Sequence, residues 1–238
     1  MDKIIFALPG NETIANTIAD KLHFPVGEMV LRSFPDAETY VRVLSNVDGK
    51  NAILVSTLYQ PDSKLLPLYF LAKLLKDLGA AKVTLIAPYL SYMRQDKRFH
   101  DGEAISSEYF ATLLSSFADE LITIDPHLHR RNSMSEIYTI PCKVLHAAPL
   151  ISSWIKENIE MPLLVGPDSE SEQWVAETAA KMNTPYIVLN KERISDTEVK
   201  ISVPDVVQFK NHTPVLVDDI ISTAKTMIVT EKHLSEAG

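Results

Sequence analysis

The sequence predicts an α/β protein whose parallel sheets are flanked by helices. Short β-branched segments alternate with longer helical patterns along the whole chain. Several of the short segments are near-continuous apolar runs, which is typical of strands that are buried on both faces. The composition, 46% apolar and 23% charged over 238 residues, provides enough apolar side chain for one large domain or two small ones.

The elements follow in order along the chain. The predicted strands are Ile4–Leu8, Met29–Ser33, Tyr40–Leu44, Ala52–Thr57, Lys82–Ala87, Leu121–Ile124, Leu163–Val165, Tyr186–Leu189, Lys200–Val203 and Pro214–Val217. The predicted helices are Glu12–Leu22, Lys64–Leu78, Ser107–Phe117, Pro149–Asn158, Ser171–Met182 and Thr223–Glu236. Gly79 is expected to end the second helix, and Pro67 is expected in its first turn, where proline is tolerated. Ser169 and Glu172 fit a capping box at the start of the fifth helix.

The patterning is weakest near Ile140–Pro149, where a short segment bounded by proline separates two series of strands and helices. A domain boundary is therefore predicted there, giving domains 1–143 and 144–238; one continuous sheet is the alternative. Gly238 follows the last helix, at a point where an α/β domain would normally continue into another strand. The pattern therefore predicts that the second domain is incomplete in this sequence.

Composition and charge exclude several classes of function. A net charge of -8 argues against a protein that binds nucleic acid along its whole surface. The single cysteine, Cys142, rules out an intrachain disulfide and a zinc site built from cysteines. No apolar run reaches the roughly 18 residues of a membrane span, and the first residues do not fit a signal peptide. The cytoplasm is the expected compartment.

The strongest local pattern lies between Val215 and Thr226. An apolar strand runs into Asp218 and Asp219, then into a hydroxyl-rich turn and a helix. A turn at a helix N-terminus presents backbone N–H groups to a phosphate, and paired carboxylates can accept hydrogen bonds from vicinal sugar hydroxyls. The alternative is an ordinary strand end with a capping hydroxyl. The turn is not a Walker A loop, because the required glycine and lysine spacing is missing.

Further polar groups follow other predicted strands. Pro88–Arg98 contains three cations within five residues, suited to phosphate but also common in solvated loops. Asp125 and His127 fit a divalent ion, or a histidine hydrogen-bonded within its loop. Gly166–Ser169 contains Asp168, a candidate metal-facing acid or helix cap. The remaining candidates are the charged run at 191–193 and the turn at 33–38, each also readable as an ordinary polar loop.

In this order and spacing the segments resemble ribose-phosphate diphosphokinase, also called phosphoribosyl pyrophosphate synthetase. The pieces Arg94-Gln95-Asp96 and Val217-Asp218-Asp219-Ile220-Ile221 carry the resemblance most closely. It implies two tandem phosphoribosyltransferase-type domains, the second incomplete in this chain. It also implies transfer of diphosphate from Mg-ATP to the 1-hydroxyl of ribose 5-phosphate, with Mg²⁺ as cofactor, ATP as co-substrate and AMP as product.

The resemblance implies roles for individual residues. A hairpin that reaches into a neighbouring subunit is implied to bind adenine, and Arg94 to contact the phosphates, so a homo-oligomer, dimer or hexamer, is expected. The implied ATP-binding residues are Phe34, Asp36, Glu38, Arg94, Gln95 and Asp96. The implied catalytic residues of a mobile loop are Lys191 and Arg193, and the metal-associated residues are His127 and Asp168. The implied ribose-5-phosphate residues are Asp218, Asp219, Ser222, Thr223, Ala224, Lys225 and Thr226.

At several of these positions the sequence has a residue that is unusual for the family. Ser222 stands where many members have an acid, Lys225 where many have glycine, and Ala37 where glycine is usual. Two other functions therefore compete with the enzyme: a non-catalytic binding or regulatory relative, and a phosphoribosyltransferase that consumes phosphoribosyl diphosphate. Lys191 and Arg193 favour the enzyme over a binding relative. The Arg94 and Phe34 segments favour it over a phosphoribosyltransferase, which needs no ATP site.

Overall fold

The computed structural model of this protein describes residues 1–193, 199–202, 207–221 and 224–237. The chain divides into two compact units, Met1–Leu145 and His146–Gly238. The predicted boundary after residue 143 lies two residues before this division.

The first unit is built on a parallel sheet of five strands. Its spatial order is β1-β4-β5-β6-β7, so parallel strands that follow one another along the chain lie side by side. These strands are β1 (Lys3–Ala7), β4 (Asn51–Val55), β5 (Lys82–Ala87), β6 (Glu120–Ile124) and β7 (Cys142–Leu145). The helices are α1 (Glu12–Leu22), α2 (Asp62–Asp77) and α3 (Ser106–Ser115). Between β1 and β4 the chain also forms an antiparallel hairpin of β2 (Met29–Ser33) and β3 (Thr39–Val43).

Alternate residues of the first sheet belong to different cores. On β1, Phe6 packs in a large core that includes the inner faces of α2 and α3, whereas Ile5 packs with Ala15 and Ala19 of α1. The two faces alternate because successive side chains of a strand point to opposite sides. Strands β1 and β4 are nearly all apolar because helices cover the sheet on both faces. The prediction of a parallel sheet flanked by helices is confirmed.

The second unit repeats this pattern on a smaller scale. A parallel sheet has the order β12-β8-β9, built from β8 (Pro162–Gly166), β9 (Tyr186–Val188) and β12 (Thr213–Leu216). Two further strands, β10 (Asn190–Arg193) and β11 (Val199–Ser202), form an antiparallel pair. The helices are α4 (Ala148–Asn158), α5 (Glu172–Met182) and α6 (Lys225–Ala237). Leu164 packs with Val175 of α5, and the neighbouring Leu163 packs in a second cluster on the other side.

The segment of weakest patterning contains a strand that the sequence did not indicate. Residues Cys142–Leu145 form β7, which pairs in parallel with β6 at the edge of the first sheet. An edge strand of four residues lacks the long apolar run that marks the central strands. The Cys142 thiol is half-buried and lies 3.4 Å from the Ile140 carbonyl oxygen. Burial raises the pKa of this thiol to about 11.

Two helix ends differ from the prediction. Helix α2 begins at Asp62, so Pro67 is in the helix interior and not in its first turn. At the start of the fifth helix, the capping pair is Asp168 with Ser171, not Ser169 with Glu172. A 3-10 turn over Ser169–Ser171 precedes α5, and the Asp168 carboxylate accepts the Glu170 backbone N–H at 3.1 Å.

Gly79 ends α2 as predicted. Its φ of +90° is a left-handed conformation that glycine adopts without strain, and its N–H donates to the Lys76 carbonyl at 3.0 Å. Across the described residues, no helix combines the length and the apolar character that a membrane crossing requires.

Candidate functional site

The segment after β5 presents a cation at the carboxyl end of the first sheet. The Tyr92 hydroxyl donates to the Asp62 carboxylate, and the Tyr92 ring packs 4.8 Å from that of Phe110, between ring centroids. Tyr92 also has a φ of +63°, which turns the chain sharply before Arg94. The Arg94 side chain is exposed, and within the described part of the chain no hydrogen bond or ion pair engages it. Its guanidinium is therefore available to an anionic ligand.

Gln95 takes part in the internal bonding of the loop that follows. Its Nε2 donates to a Glu103 carboxylate oxygen at 3.2 Å. The same oxygen accepts the backbone N–H groups of Phe99 at 2.8 Å and His100 at 3.1 Å. These backbone hydrogen bonds lower the pKa of Glu103. Glu103, which sequence reasoning missed, therefore organises the loop from Gln95 to His100.

The side chain of Asp96 is almost wholly buried, with 3% of it exposed. Its two carboxylate oxygens accept hydrogen bonds from Nη1 of Arg130 at 3.0 and 3.3 Å. Nη2 of Arg131 lies 3.4 Å from the Asp96 carbonyl oxygen and donates to Glu108 of α3 at 2.9 Å. Sequence reasoning missed both arginines. The only available signal was two cations following His129 near a strand end.

His127 lies just beyond β6 and is 7% exposed, with its ring centroid 6.3 Å from that of His129. Nearby, Asp125 has a φ of +37°, an uncommon conformation for a residue other than glycine. Among the described residues, no group of three or more His, Cys, Asp or Glu side chains is arranged to hold a metal ion. The metal role of His127 stays a prediction.

The hairpin of β2 and β3 places an aromatic ring at the surface. Phe34 is 41% exposed and meets Tyr40 edge to face, with 5.7 Å between ring centroids. The Arg32 guanidinium lies 4.9 Å from the Phe34 ring centroid and 4.3 Å from that of Tyr40, within the range of cation–π contact. The Phe34 ring therefore contacts both neighbours and still remains exposed.

The predicted acids of the hairpin are both exposed in the turn. The Asp36 carboxylate accepts the Glu38 backbone N–H at 3.2 Å. Ala37, between them, has a φ of +70°. The turn therefore uses a left-handed residue that is not glycine.

The second unit brings three carboxylates near one another. β8 and β12 pair in parallel, and each is followed by predicted site residues: Asp168 after β8, and Asp218 and Asp219 after β12. Burial and the negative charge of Asp219 raise the pKa of Asp218 to about 7, and the charge of Asp168 adds to the rise. The Asp219 backbone N–H donates to the Asp218 carboxylate at 2.9 Å. An acidic site thus lies at the carboxyl ends of two adjacent strands, where open α/β sheets bind ligands.

The turn that follows the acids is described in part. Ser222 and Thr223 lie outside the described residues. Ala224 has a φ of +58°, and its carbonyl accepts the Ile228 N–H at 2.9 Å at the start of α6. Lys225 and Thr226 are the first two residues of α6. The predicted strand before the acids and the predicted helix after the turn are confirmed for the described positions.

The predicted catalytic cations lie on the antiparallel pair. Lys191 is paired with Ile201, and Arg193 with Val199, in the register of β10 and β11. The two cations therefore occupy alternate positions of one strand.

Each of the two units is an α/β structure built on a parallel sheet. In the second unit, adjacent acids lie between a strand and a helix N-terminus, and this arrangement defines a protein of the phosphoribosyltransferase type. Family models agree: residues 3–117 match the N-terminal domain of ribose phosphate pyrophosphokinase, and residues 133–238 match the phosphoribosyl transferase domain. The chain belongs to the ribose-phosphate pyrophosphokinase family of enzymes.

Individual relatives support this assignment. The ribose-phosphate pyrophosphokinase of Methanobrevibacter smithii is 34% identical over 240 residues, covering 96% of this chain and 80% of that protein. The protein of the same name from Saccharolobus solfataricus is 35% identical, covering 94% of this chain and 77% of that protein. The crystal structure of phosphoribosylpyrophosphate synthetase from Mycobacterium smegmatis has a TM-score of 0.89 at 27% identity, covering 100% of this chain and 78% of that one.

Proposed function

We propose that this chain transfers the diphosphoryl group of Mg-ATP to the 1-hydroxyl of ribose 5-phosphate. The O1 oxygen attacks the β-phosphorus, the bond between the α-phosphate bridging oxygen and the β-phosphorus breaks, and AMP leaves. The hydroxyl proton passes to solvent. The observation that carries this proposal is the set of acids after β8 and β12, with Asp218 and Asp219 directly before the turn into α6. Carboxylates accept sugar hydroxyls, and the helix N-terminus favours the 5-phosphate.

The nucleotide is assigned to the first unit. Arg94 is an exposed cation with no partner in the described residues, which suits the phosphates of ATP. Phe34 offers an exposed aromatic ring for adenine, and Asp36 and Glu38 are exposed acceptors for its amino group. The Gln95 amide donates within its own loop, so we assign it to shaping that loop as well as to the nucleotide.

Mg²⁺ fits the residues of the second unit. Carboxylate oxygens are the donors it prefers, and it usually keeps several waters while binding one or two carboxylates and substrate phosphates. Burial and then the negative charge of Asp219 raise the pKa of Asp218, and a divalent cation would offset that negative charge. Asp168 with Asp218 or Asp219 would hold one ion, and we assign His127 to a separate metal position in the first unit. The bound ion would neutralise charge on the phosphates.

Diphosphoryl transfer depends mainly on positioning and charge neutralisation, because it needs little covalent chemistry from the protein. We propose that Lys191 and Arg193 neutralise the negative charge of the transferred diphosphoryl group. We propose that residues 222–226 bind the 5-phosphate. The resemblance to the family supports this assignment. It also supports a homo-oligomer in which the β2–β3 hairpin completes a neighbour's nucleotide site, and sedimentation that finds an active monomer would contradict that arrangement.

The test is the formation of AMP and phosphoribosyl diphosphate from ATP and ribose 5-phosphate by the purified chain. We expect the two products in equal amounts with Mg²⁺, and none with EDTA. Asp219→Asn should raise the KM for ribose 5-phosphate, whereas Asp20→Asn, at an exposed position of α1, should leave it unchanged. Formation of ADP in place of AMP, or diphosphate release from phosphoribosyl diphosphate and a free base without ATP, would contradict the proposal.

A further inference from the structure

Two adjacent arginines fasten the segment after β5 to the segment after β6. Arg130 donates from Nη1 to both carboxylate oxygens of Asp96, at 3.0 and 3.3 Å. Arg131 approaches the backbone carbonyl of the same residue at 3.4 Å and donates to Glu108 of α3 at 2.9 Å. Arg130 therefore holds the side chain of Asp96, and Arg131 holds its main chain.

Arg130 is the charged partner of the Asp96 carboxylate. Only 3% of the Asp96 side chain is exposed, so water does not solvate its carboxylate. A buried carboxylate without a cationic partner is strongly disfavoured. The Arg130 side chain is one-third exposed and also lies 5.5 Å from the Phe99 ring centroid, which limits its freedom to move away. Removing this arginine would leave Asp96 with an uncompensated charge, and the segment would have to shift.

Arg94 lies two residues before Asp96 and has no side-chain partner of its own in the described residues. Its place is therefore set by the anchored residues on either side of it. Tyr92, held by Asp62 and Phe110, fixes the chain before it, and Asp96 fixes the chain after it. Of these anchors, Asp96 is the one that joins this segment to the strand end where His127 lies, through Arg130 and Arg131.

We propose that Arg130 is a positioning residue for nucleotide binding, which acts through Asp96 to hold Arg94 at the carboxyl end of the first sheet. This inference rests on the proposed function, because it takes the triphosphate of ATP as the ligand of Arg94. It assigns the Asp96 carboxylate to the protein's own framework. Arg131 supports Asp96 as well, through its contact with the Asp96 backbone carbonyl.

The test separates the two substrates kinetically. Arg130→Ala should raise the KM for Mg-ATP by about tenfold or more, since small displacements of a binding group have effects of this order. The KM for ribose 5-phosphate should stay within about twofold, because its binding groups lie in the other unit. Arg130→Lys, which keeps the charge, should restore part of the loss. Lys73→Ala, at an exposed position of α2, is the matched control for loss of one positive charge.

The pair itself is tested by a double-mutant cycle. Asp96→Asn with Arg130→Gln replaces the ion pair by a neutral one, and this double variant remains informative if Arg130→Ala fails to fold. Because the two residues act through one contact, the double variant should be no worse for Mg-ATP than the more damaging single variant. Additive effects, an unchanged KM for Mg-ATP, or an equal loss for both substrates with a lowered Tm would overturn the proposal.

A binding measurement distinguishes failure of this inference from failure of the proposed function. Titration calorimetry with α,β-methylene-ATP and Mg²⁺ reports nucleotide affinity without turnover, since the bond to be broken is blocked. If the parent chain binds the analogue but makes no AMP, the proposed function fails, and a weaker affinity of Arg130→Ala still supports the inference. Parental affinity in Arg130→Ala overturns it. A parent chain that binds no analogue overturns both.

Discussion

The side-chain oxygen of Asn11 accepts a hydrogen bond from the Thr57 backbone N–H at 2.7 Å, joining the carboxyl ends of β1 and β4. Asn11 is 2% exposed, and its Nδ2 lies 3.3 Å from the carbonyl oxygens of both Leu8 and Pro9. One buried carboxamide therefore connects two strand ends and the start of α1. The connection fixes the carboxyl ends of β1 and β4, and β4 lies beside β5, the strand that leads to Arg94.

Replacing this carboxamide should destabilise the protein. Asn11→Ala leaves the Thr57 N–H without its partner in a partly buried site, which costs about 1–3 kcal/mol. Urea denaturation followed by circular dichroism measures the change. Thr17→Ala, which removes an exposed hydroxyl from α1, should change stability by less than about 0.5 kcal/mol. An Asn11→Ala variant as stable as that control would show that the connection contributes nothing.

The raised pKa of Asp218 predicts how stability depends on pH. Its ordinary value is 3.8 and its value in the fold is about 7, so the folded state binds the extra proton between these values. Stability contributed by the protonated form is therefore lost as the pH rises through this window. Asp218→Asn removes the charge, so in EDTA it should be more stable than the parent at pH 8, and the difference should vanish near pH 4. The gain should be on the order of 1 kcal/mol, since solvent screens this half-buried group.

Thermal unfolding at several pH values tests that expectation. Asp20→Asn on α1 serves as the control and should not alter the pH dependence. A stability difference between Asp218→Asn and the parent that does not change with pH would contradict the raised pKa.

The backbone at Ala37 predicts a stabilising substitution. With a φ of +70°, alanine carries a steric strain that glycine avoids, at roughly 1 kcal/mol for such a conformation. Ala37→Gly should therefore raise the Tm slightly, after the entropy of glycine in the unfolded chain offsets part of the gain. Ala176→Gly, within α5, should lower stability by about 1 kcal/mol. Calorimetric scans of both variants check the opposite signs, and a lowered Tm for Ala37→Gly would refute the strain.

The exposed ring of Phe34 predicts a selective loss of nucleotide affinity. Stacking of a base on an aromatic ring is worth about 1–3 kcal/mol, so Phe34→Ala should weaken binding of α,β-methylene-ATP by about 5- to 160-fold. Phe70→Ala, at a comparably exposed position on α2, is the control. Calorimetric titration gives both affinities. Equal affinities for the two variants would remove the hairpin from the nucleotide site.

The sequence predicts those elements and site residues that are marked by a pattern of neighbouring residues. The strands that contain Ile5 and Leu164 are covered on both faces, and their apolar runs identify them without further context. Asp218 and Asp219 follow such a run directly, so their place at a strand end is predictable as well. β7 was missed because an edge strand at Cys142 carries little apolar pattern.

Contacts between residues far apart in the sequence cannot be predicted from such local patterns. Asp96 and Arg130 are 34 positions apart, and no periodicity joins them. Their pairing depends on β5 and β6 lying side by side, which is known only once the sheet order is known. Asp168 is one of the predicted helix caps, but the capping box predicted at Ser169 and Glu172 is wrong by one residue, because a 3-10 turn precedes α5.

The shielded thiol of Cys142 has a practical consequence for labelling. With a pKa of about 11, only about one molecule in 10⁴ carries the reactive thiolate at pH 7. The chain has no other cysteine. A cysteine introduced at an exposed position of the β2–β3 hairpin would therefore react with a maleimide dye far faster than the native one. Fluorescence or spin-label measurements on that hairpin can thus begin from the wild-type background, with no cysteine-free variant to prepare first.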